Sequence, residues 1–193
     1  MKAAPNSPPR DRRGTAVKDK SAVQAARLYR TAIHEAGHAI AADQLGLDWH
    51  AYAFKRSFKG KLGYNRSNRL SGAWLIRCGK RGSAMHSLGG PIADLAYSVG
   101  GLPGGLGGII KGDYTERLKA MPFFSKHGSP SDWEGALRYK RWPALVPQVA
   151  KILLLRVGDV IRLAGMLVEL GDVSRWEYYG SPMIPRWERI IRR

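Results

Sequence analysis

The sequence predicts a mainly α (α+β) fold, a helical domain with one small β element at about residues 50–76. Apolar residues at helical spacing fill the segments before and after that region, whereas aromatic and β-forming residues mix with glycines inside it. A length of 193 residues with a hydrophobic fraction of 44% suits one domain with its own core. We therefore expect a flexible basic tail at residues 1–20, one domain at 21–180 and a basic C-terminal tail at 181–193.

Five helices are predicted along the chain. Residues 21–45 form an Ala-rich helix that Gly46 ends, and the pattern allows a break near Thr31. A second helix covers residues 84–99, where Pro91 can open a helix after two glycines. Residues 132–139 begin a third with Ser131 as N-cap, and residues 147–157 and 158–170 form two more, each apolar on one face. Gly- and Pro-rich loops are predicted at residues 100–112 and 121–131.

Residues 49–76 contain the predicted β element. Aromatic residues and glycines, among them Gly60, Gly63 and Gly72, indicate two or three short, twisted strands joined by tight turns. Strand pairing within this segment alone would complete the sheet.

The net charge of +17 is concentrated in parts of the chain. No acidic residue occurs between Asp48 and Asp94, and the cations of this acid-free sector are interleaved with aromatic residues, among them Tyr52, Phe54, Phe58, Tyr64 and Trp74. Such a surface attracts polyanions, so a basic nucleic-acid-binding protein is the alternative function, although no known RNA- or DNA-binding signature accompanies it. The cations are Lys55, Arg56, Lys59, Lys61, Arg66, Arg69, Arg77, Lys80 and Arg81.

Cysteine usage and hydropathy suggest where the protein acts. The single cysteine, Cys78, cannot close an intramolecular disulfide and is expected to be a partly buried small residue. The most apolar stretch, residues 145–170, is interrupted by charged residues, so we expect no membrane span. A cytoplasmic location is the expectation that fits both observations.

The pentapeptide His34-Glu35-Ala36-Gly37-His38 lies within the strongest predicted helix. Its two histidines therefore project from one face, one turn apart, and can bind one zinc ion. Glu35 can serve as the general base of a metallopeptidase. The extended pattern that adds a third histidine is absent, so the third ligand comes from farther along the chain. Spacing alone leaves six candidates: Asp94, Asp113, Glu116, His127, Asp132 and Glu134.

Four short segments follow one another along the chain: TAIHEAGHA at residues 31–39, LGY at 62–64, LGGPIAD at 88–94 and SPSDWE at 129–134. Together they resemble the zinc peptidase domain of the FtsH-type membrane-bound AAA proteases. The resemblance implies that Asp132 is the third zinc ligand and that Asp94 lies near the metal as a partner of its ligands. It also implies that Gly63 and Tyr64 lie on the strand that pairs with an extended peptide substrate.

The departures from that family are equally informative. No Gly-x-x-x-x-Gly-Lys-Ser/Thr loop occurs in the sequence, so the predicted enzyme hydrolyses flexible polypeptides without ATP. Because the family couples its peptidase to an unfoldase and forms rings, a partner ATPase or a homo-oligomer is implied, and an adaptor with little catalytic activity is a further alternative. The basic sector could also select acidic polypeptide substrates.

Overall fold

The computed structural model describes residues 20–58, 61–67, 73–114, 116–117 and 130–180. These residues form a mainly helical structure with one small antiparallel sheet, which confirms the predicted fold class. Both predicted tails, apart from Lys20, and the side chains of residues 54–58, 61–67 and 73–78 lie outside this description, as does His127.

The described residues contain six α-helices, three strands and one short 3-10 helix. The helices are α1 (Lys20–Gln44), α2 (Ala73–Lys111), α3 (Pro130–Leu137), α4 (Val146–Leu155), α5 (Val157–Leu170) and α6 (Arg175–Tyr179). The strands are β1 (Trp49–Phe58), β2 (Lys61–Ser67) and β3 (Asp172–Ser174), and the 3-10 helix covers Trp142–Leu145. No helix among the described residues has the length and apolar character needed to cross a bilayer.

The sheet has the strand order β2-β1-β3, and both pairings are antiparallel. Trp49, Ala51 and Ala53 of β1 are buried, as is Val173, the partner of Ala51 on β3. Because side chains alternate along a strand, the residues between them face the opposite side of the sheet. One face of the sheet therefore belongs to the hydrophobic core.

The predicted β segment was wrong at its C-terminal end. Strand β2 ends at Ser67, and residues 73–76 belong to helix α2. The third strand is β3, which follows α5 and contains three residues. Such a short strand is defined by its pairing with β1, from Tyr52↔Asp172 to His50↔Ser174, and has no local periodicity of its own.

The predicted loop at residues 100–112 was also wrong, because α2 continues to Lys111. Leu102, Leu106 and Ile109 are buried at helical spacing, and their burial outweighs the low helix propensity of the glycines between them. The chain interrupts its helical geometry only at Gly79 and at Gly100 and Gly101 within α2.

The other helix boundaries differ less. Helix α1 runs through Thr31 without a break, and the Thr31 hydroxyl donates to the carbonyl of Arg27. Helix α3 starts at Pro130, so Ser131 lies within its first turn and is not the N-cap.

Helices α1 and α2 pack against each other through two glycines. A Cβ atom on Gly37 would lie 2.4 Å from the carbonyl oxygen of Gly89, and one on Gly89 would lie 2.5 Å from that of Gly37. Only residues without a side chain allow the two backbones this approach. The crossing brings the middle of α1, where the two motif histidines lie, against the middle of α2.

An ion-pair network attaches the C-terminal helices to the end of α1. The Asp43 carboxylate accepts a hydrogen bond from Arg156 Nη1 at 2.6 Å and one from Arg175 Nε at 2.7 Å. Tyr179 of α6 also donates to Asp43. Burial alone would raise the pKa of Asp43, but the two guanidinium groups lower it overall.

Candidate metal centre

The two motif histidines lie on one face of α1, as their spacing of four residues requires. Their ring centroids are 4.8 Å apart, and the distance between the two Nε2 atoms is 3.2 Å. Zinc–nitrogen bonds of about 2.05 Å in a tetrahedral arrangement place neighbouring ligand atoms about 3.3 Å apart. The imidazole pair therefore has the separation that two zinc ligands require.

Asp132 joins the histidines from the first turn of α3. Its Oδ2 lies 3.3 Å from His34 Nε2 and its Oδ1 lies 3.3 Å from His38 Nε2. One ligand atom from each of the three residues lies within 4.8 Å of the others. Two imidazoles and one carboxylate are a donor set that zinc prefers, and three ligands leave a coordination position open.

Helix α3 is anchored in a way that positions Asp132. Trp133 and Ala136 are buried, and the Trp133 ring packs edge-on against Trp142 at 5.9 Å. On the α2 side, a Cβ atom on Gly135 would lie 2.0 Å from Ser87 Oγ, so α3 can approach α2 only because residue 135 is a glycine.

The His38 ring is oriented by a backbone group of α2. Its Nδ1 lies 2.8 Å from the carbonyl oxygen of His86, which can only accept a hydrogen bond. Nδ1 therefore carries the proton in neutral His38, and Nε2 presents its lone pair toward His34 and Asp132. Sequence reasoning missed this contact, because every residue has a carbonyl group and nothing in the sequence marks the one at residue 86.

Gly90 provides the space in which the two Nε2 atoms lie. A Cβ atom at this position would be 2.4 Å from His38 Nε2 and 2.6 Å from His34 Nε2. Real Cβ atoms essentially never approach other heavy atoms within 3.0 Å. The Leu88-Gly89-Gly90 segment thus serves two purposes, since Gly89 permits the helix crossing and Gly90 leaves room at the donor atoms.

The charges around the donors favour a cation. Burial would lower the pKa of His38, but the charge and hydrogen bond of Asp132, the charge of Glu35 and the His86 carbonyl raise it to about 9. Burial would raise the pKa of Asp132, but the two histidines lower it well below its usual range. The raised pKa of His38 shows that its surroundings favour positive charge, and a divalent cation fits the same charge demand.

Glu35 follows the first histidine and is itself buried, with 6% of its surface exposed. Its negative charge is close enough to His38 to contribute to the raised pKa of that imidazole. The predicted general base therefore lies in the same electrostatic environment as the three donor residues.

Asp94 was predicted to lie near the metal as a partner of its ligands, and the structure pairs its buried carboxylate with Arg30. Arg30 Nε donates to Asp94 Oδ1, and Arg30 Nη2 donates to Asp94 Oδ2 at 2.9 Å. Arg30 is one turn before His34 on α1, and Asp94 is one turn after Gly90 on α2. This two-point ion pair holds the two helices together one turn from the donor atoms.

The other sequence candidates differ in position. Among the described residues, His34, His38 and Asp132 form the only group of three side chains that could hold a metal ion. Asp113, Glu116 and Glu134 do not belong to this group. His127 and the side chain of Cys78 lie outside the described part of the chain. In β2 the backbone of Gly63 pairs with Ala53 and that of Tyr64 pairs with Tyr52.

Fold and site together define a small helical protein with a His-Glu-x-x-His helix and an aspartate that completes a three-donor cluster. Comparisons of the chain with protein-family models, curated proteins and solved structures find no match. The resemblance to the FtsH-type peptidases stays a prediction from four short motifs.

Proposed function

We propose that the chain is an ATP-independent zinc metalloendopeptidase that hydrolyses peptide bonds in flexible polypeptides. The observation that carries the proposal is the convergence of His34 and His38 on α1 with Asp132 on α3, all within 4.8 Å. The buried carboxylate of Glu35, which follows His34 in the sequence, provides a base beside the donors. Peptidases with a His-Glu-x-x-His helix combine these same elements.

In the proposed reaction His34, His38 and Asp132 hold the ion, while Glu35 moves the proton. A bound zinc ion supplies a Lewis acid that polarises the scissile carbonyl and lowers the pKa of the attacking water. The Glu35 carboxylate accepts a proton from that water as the water oxygen bonds to the carbonyl carbon. Glu35 then returns the proton to the amine nitrogen as the C–N bond breaks. The His86 carbonyl keeps His38 in the tautomer that a metal ligand needs.

The substrate class follows from two further observations. The sequence contains no phosphate-binding loop of the ATPase type, so the chain supplies no ATP-driven unfolding and acts on polypeptides that are already extended. Strand β2 is an edge of the sheet, and edge strands bind extended peptides through backbone hydrogen bonds. Gly63 and Tyr64 of β2 are the residues at which we expect such pairing.

The decisive experiment combines metal analysis with one conservative substitution. Purified protein should contain stoichiometric zinc and cleave unfolded casein without ATP. Glu35→Gln should retain the metal, because Glu35 is not a ligand, but should lower turnover by about 10²- to 10⁴-fold, the usual contribution of a general base. Glu169→Gln, at the exposed end of α5, is the matched control and should cleave as the parent does.

Three outcomes would contradict the proposal. Equal cleavage by the parent and Glu35→Gln would show that Glu35 is not the base. A chain that binds zinc but cleaves casein only after a partner ATPase is added would be an adaptor that docks on that ATPase. A chain that binds zinc and never cleaves would have a structural metal site.

A further inference from the structure

The sheet has a second face, which is directed away from the core. On β1, Trp49, Ala51 and Ala53 are buried, and the alternating residues His50 and Tyr52 therefore lie on the opposite face. His50 keeps 35% of its side-chain surface exposed. This outer face carries polar and aromatic side chains that the peptidase site does not use.

His50 and Tyr52 form a fixed aromatic pair on this face. Their rings stack with centroids 4.3 Å apart and an interplanar angle of 27°. The Tyr52 hydroxyl donates to His50 Nδ1 at 3.0 Å, and His50 Nε2 donates to Asp172 Oδ2 at 3.1 Å. A single tautomer of neutral His50 satisfies both hydrogen bonds. The chain from Tyr52 to Asp172 thus holds both rings in one orientation before any ligand arrives.

The backbone register places two residues of β2 opposite the aromatic pair. Arg66 is the register partner of His50, and Tyr64 is the register partner of Tyr52. The β1–β2 hairpin lies wholly within the acid-free sector of a chain whose net charge is +17. On the β3 side, Asp172 already binds His50, and the carboxylate of Glu177 accepts from the backbone and hydroxyl of Ser174 at 2.6 Å each.

We propose that this outer face of the sheet, centred on His50 and Tyr52, binds single-stranded nucleic acid. One unpaired base stacks on the fixed ring pair, and a neighbouring phosphate contacts Arg66, the register partner of His50. The ring pair favours nucleic acid over the other polyanion that a basic surface attracts, an acidic polypeptide, because a polypeptide carboxylate gains nothing from stacking. The proposal does not depend on the peptidase activity, since it uses neither the donor residues nor Glu35.

Fluorescence anisotropy with a labelled single-stranded RNA of about 12 nucleotides tests the proposal. Tyr52→Leu should weaken binding by about 5- to 100-fold, the range that the loss of one stacked base gives. Arg66→Ser should weaken binding and reduce the salt slope by about 0.7, as the loss of one phosphate contact does. The matched controls are Tyr97→Leu, a partly exposed tyrosine of α2, and Lys151→Ser, an exposed cation of α4.

Polyglutamate of equal charge serves as the competitor that separates charge from stacking. We expect it to displace the RNA only at much higher concentration, and its own binding should be the same for parent and Tyr52→Leu. Competition as strong as that of unlabelled RNA would overturn the proposal in favour of acidic polypeptides. Equal RNA affinities for Tyr52→Leu and Tyr97→Leu would also overturn it.

Folding is checked by circular dichroism and thermal unfolding of each variant. If Tyr52→Leu unfolds, Arg66→Ser and Tyr52→Phe decide the question, because Tyr52→Phe keeps the ring and removes only the hydroxyl that orients it. Retained binding by Tyr52→Phe with weakened binding by Arg66→Ser supports the proposal. No effect of Arg66→Ser relative to Lys151→Ser refutes it.

Discussion

Replacing Gly90 by alanine should weaken zinc binding at the proposed site by at least about 100-fold while leaving the fold intact. The added Cβ would lie 2.4 Å from His38 Nε2 and 2.6 Å from His34 Nε2, so both imidazoles must move, by about 0.6 Å and about 0.4 Å, to reach a separation of 3.0 Å. The atoms that must move are the far ends of two side chains, which can rotate away without displacing a backbone. The substitution should therefore disturb the metal donors and not the packing of α1 against α2.

The size of the effect can be estimated from metal sites in general. Loss of a residue that only orients a ligand weakens metal binding by about 10- to 100-fold. Displacing a donor atom itself should weaken metal binding at least by the upper value of this range, about 100-fold, which corresponds to about 2.7 kcal/mol. The metal-free protein should change little in stability, because alanine has the higher helix propensity and gains up to about 1 kcal/mol over glycine in a helix.

Zinc titration against a chromophoric chelator measures the affinity, and urea unfolding in excess chelator measures the stability of the metal-free protein. Gly89→Ala should instead lower the stability of the metal-free protein, because its Cβ would meet the backbone of Gly37 at 2.5 Å and force the helices apart. Gly165→Ala in α5, with no atom within 4 Å, is the control that should leave zinc binding unchanged. Parental zinc affinity in Gly90→Ala would refute the geometry derived for the donors.

Three further predictions test the site and its supports. Because the pKa of His38 is raised to about 9 without metal, zinc must displace a proton, and chelator competition should show affinity falling about tenfold per pH unit below that value. Asp43→Asn should lower the free energy of unfolding in urea by about 3 kcal/mol at neutral pH, because Arg175 loses the Asp43 carboxylate and Arg156 keeps only that of Asp159. Since the folded-state pKa of Asp43 is lowered, this stabilisation is present above about pH 4 and lost as the pH falls through that pKa, so variant and parent should converge in acid. Gly135→Ala should weaken zinc binding at least about tenfold by displacing α3 from Ser87, and adding Ser87→Gly should restore it; an unrestored double variant would contradict the packing argument.

The local half of the site could be predicted from the sequence, whereas the tertiary half could not. A spacing of four residues in a helix is enough to put His34 and His38 on one face, and Glu35 comes with the motif. The third donor was one of six candidates by spacing, and only a resemblance between short motifs selected Asp132. Its approach to α1 depends on α3 packing through Trp133 and Gly135, which no local pattern specifies.

The errors in the predicted fold have the same origin. Glycines between residues 100 and 112 suggested a loop, yet the burial of Leu102, Leu106 and Ile109 maintains a helix there. The third strand depends on the register between β1 and β3, which brings together residues more than a hundred positions apart in sequence. Propensity identified the elements with strong local patterns and failed where tertiary contacts decide.

Among the described side chains, helix α2 contributes no donor to the three-donor cluster, yet its backbone shapes the surroundings of the donors. Its glycine at residue 90 leaves the space for two imidazole nitrogens, and its carbonyl at residue 86 fixes the protonated nitrogen of His38. The Gly37–Gly89 contact beside these groups and the Arg30–Asp94 ion pair one turn away hold α2 in position against α1. Because these contacts hold the donor atoms about 3.2 to 3.3 Å apart before an ion is present, little rotamer entropy would be lost on metal binding.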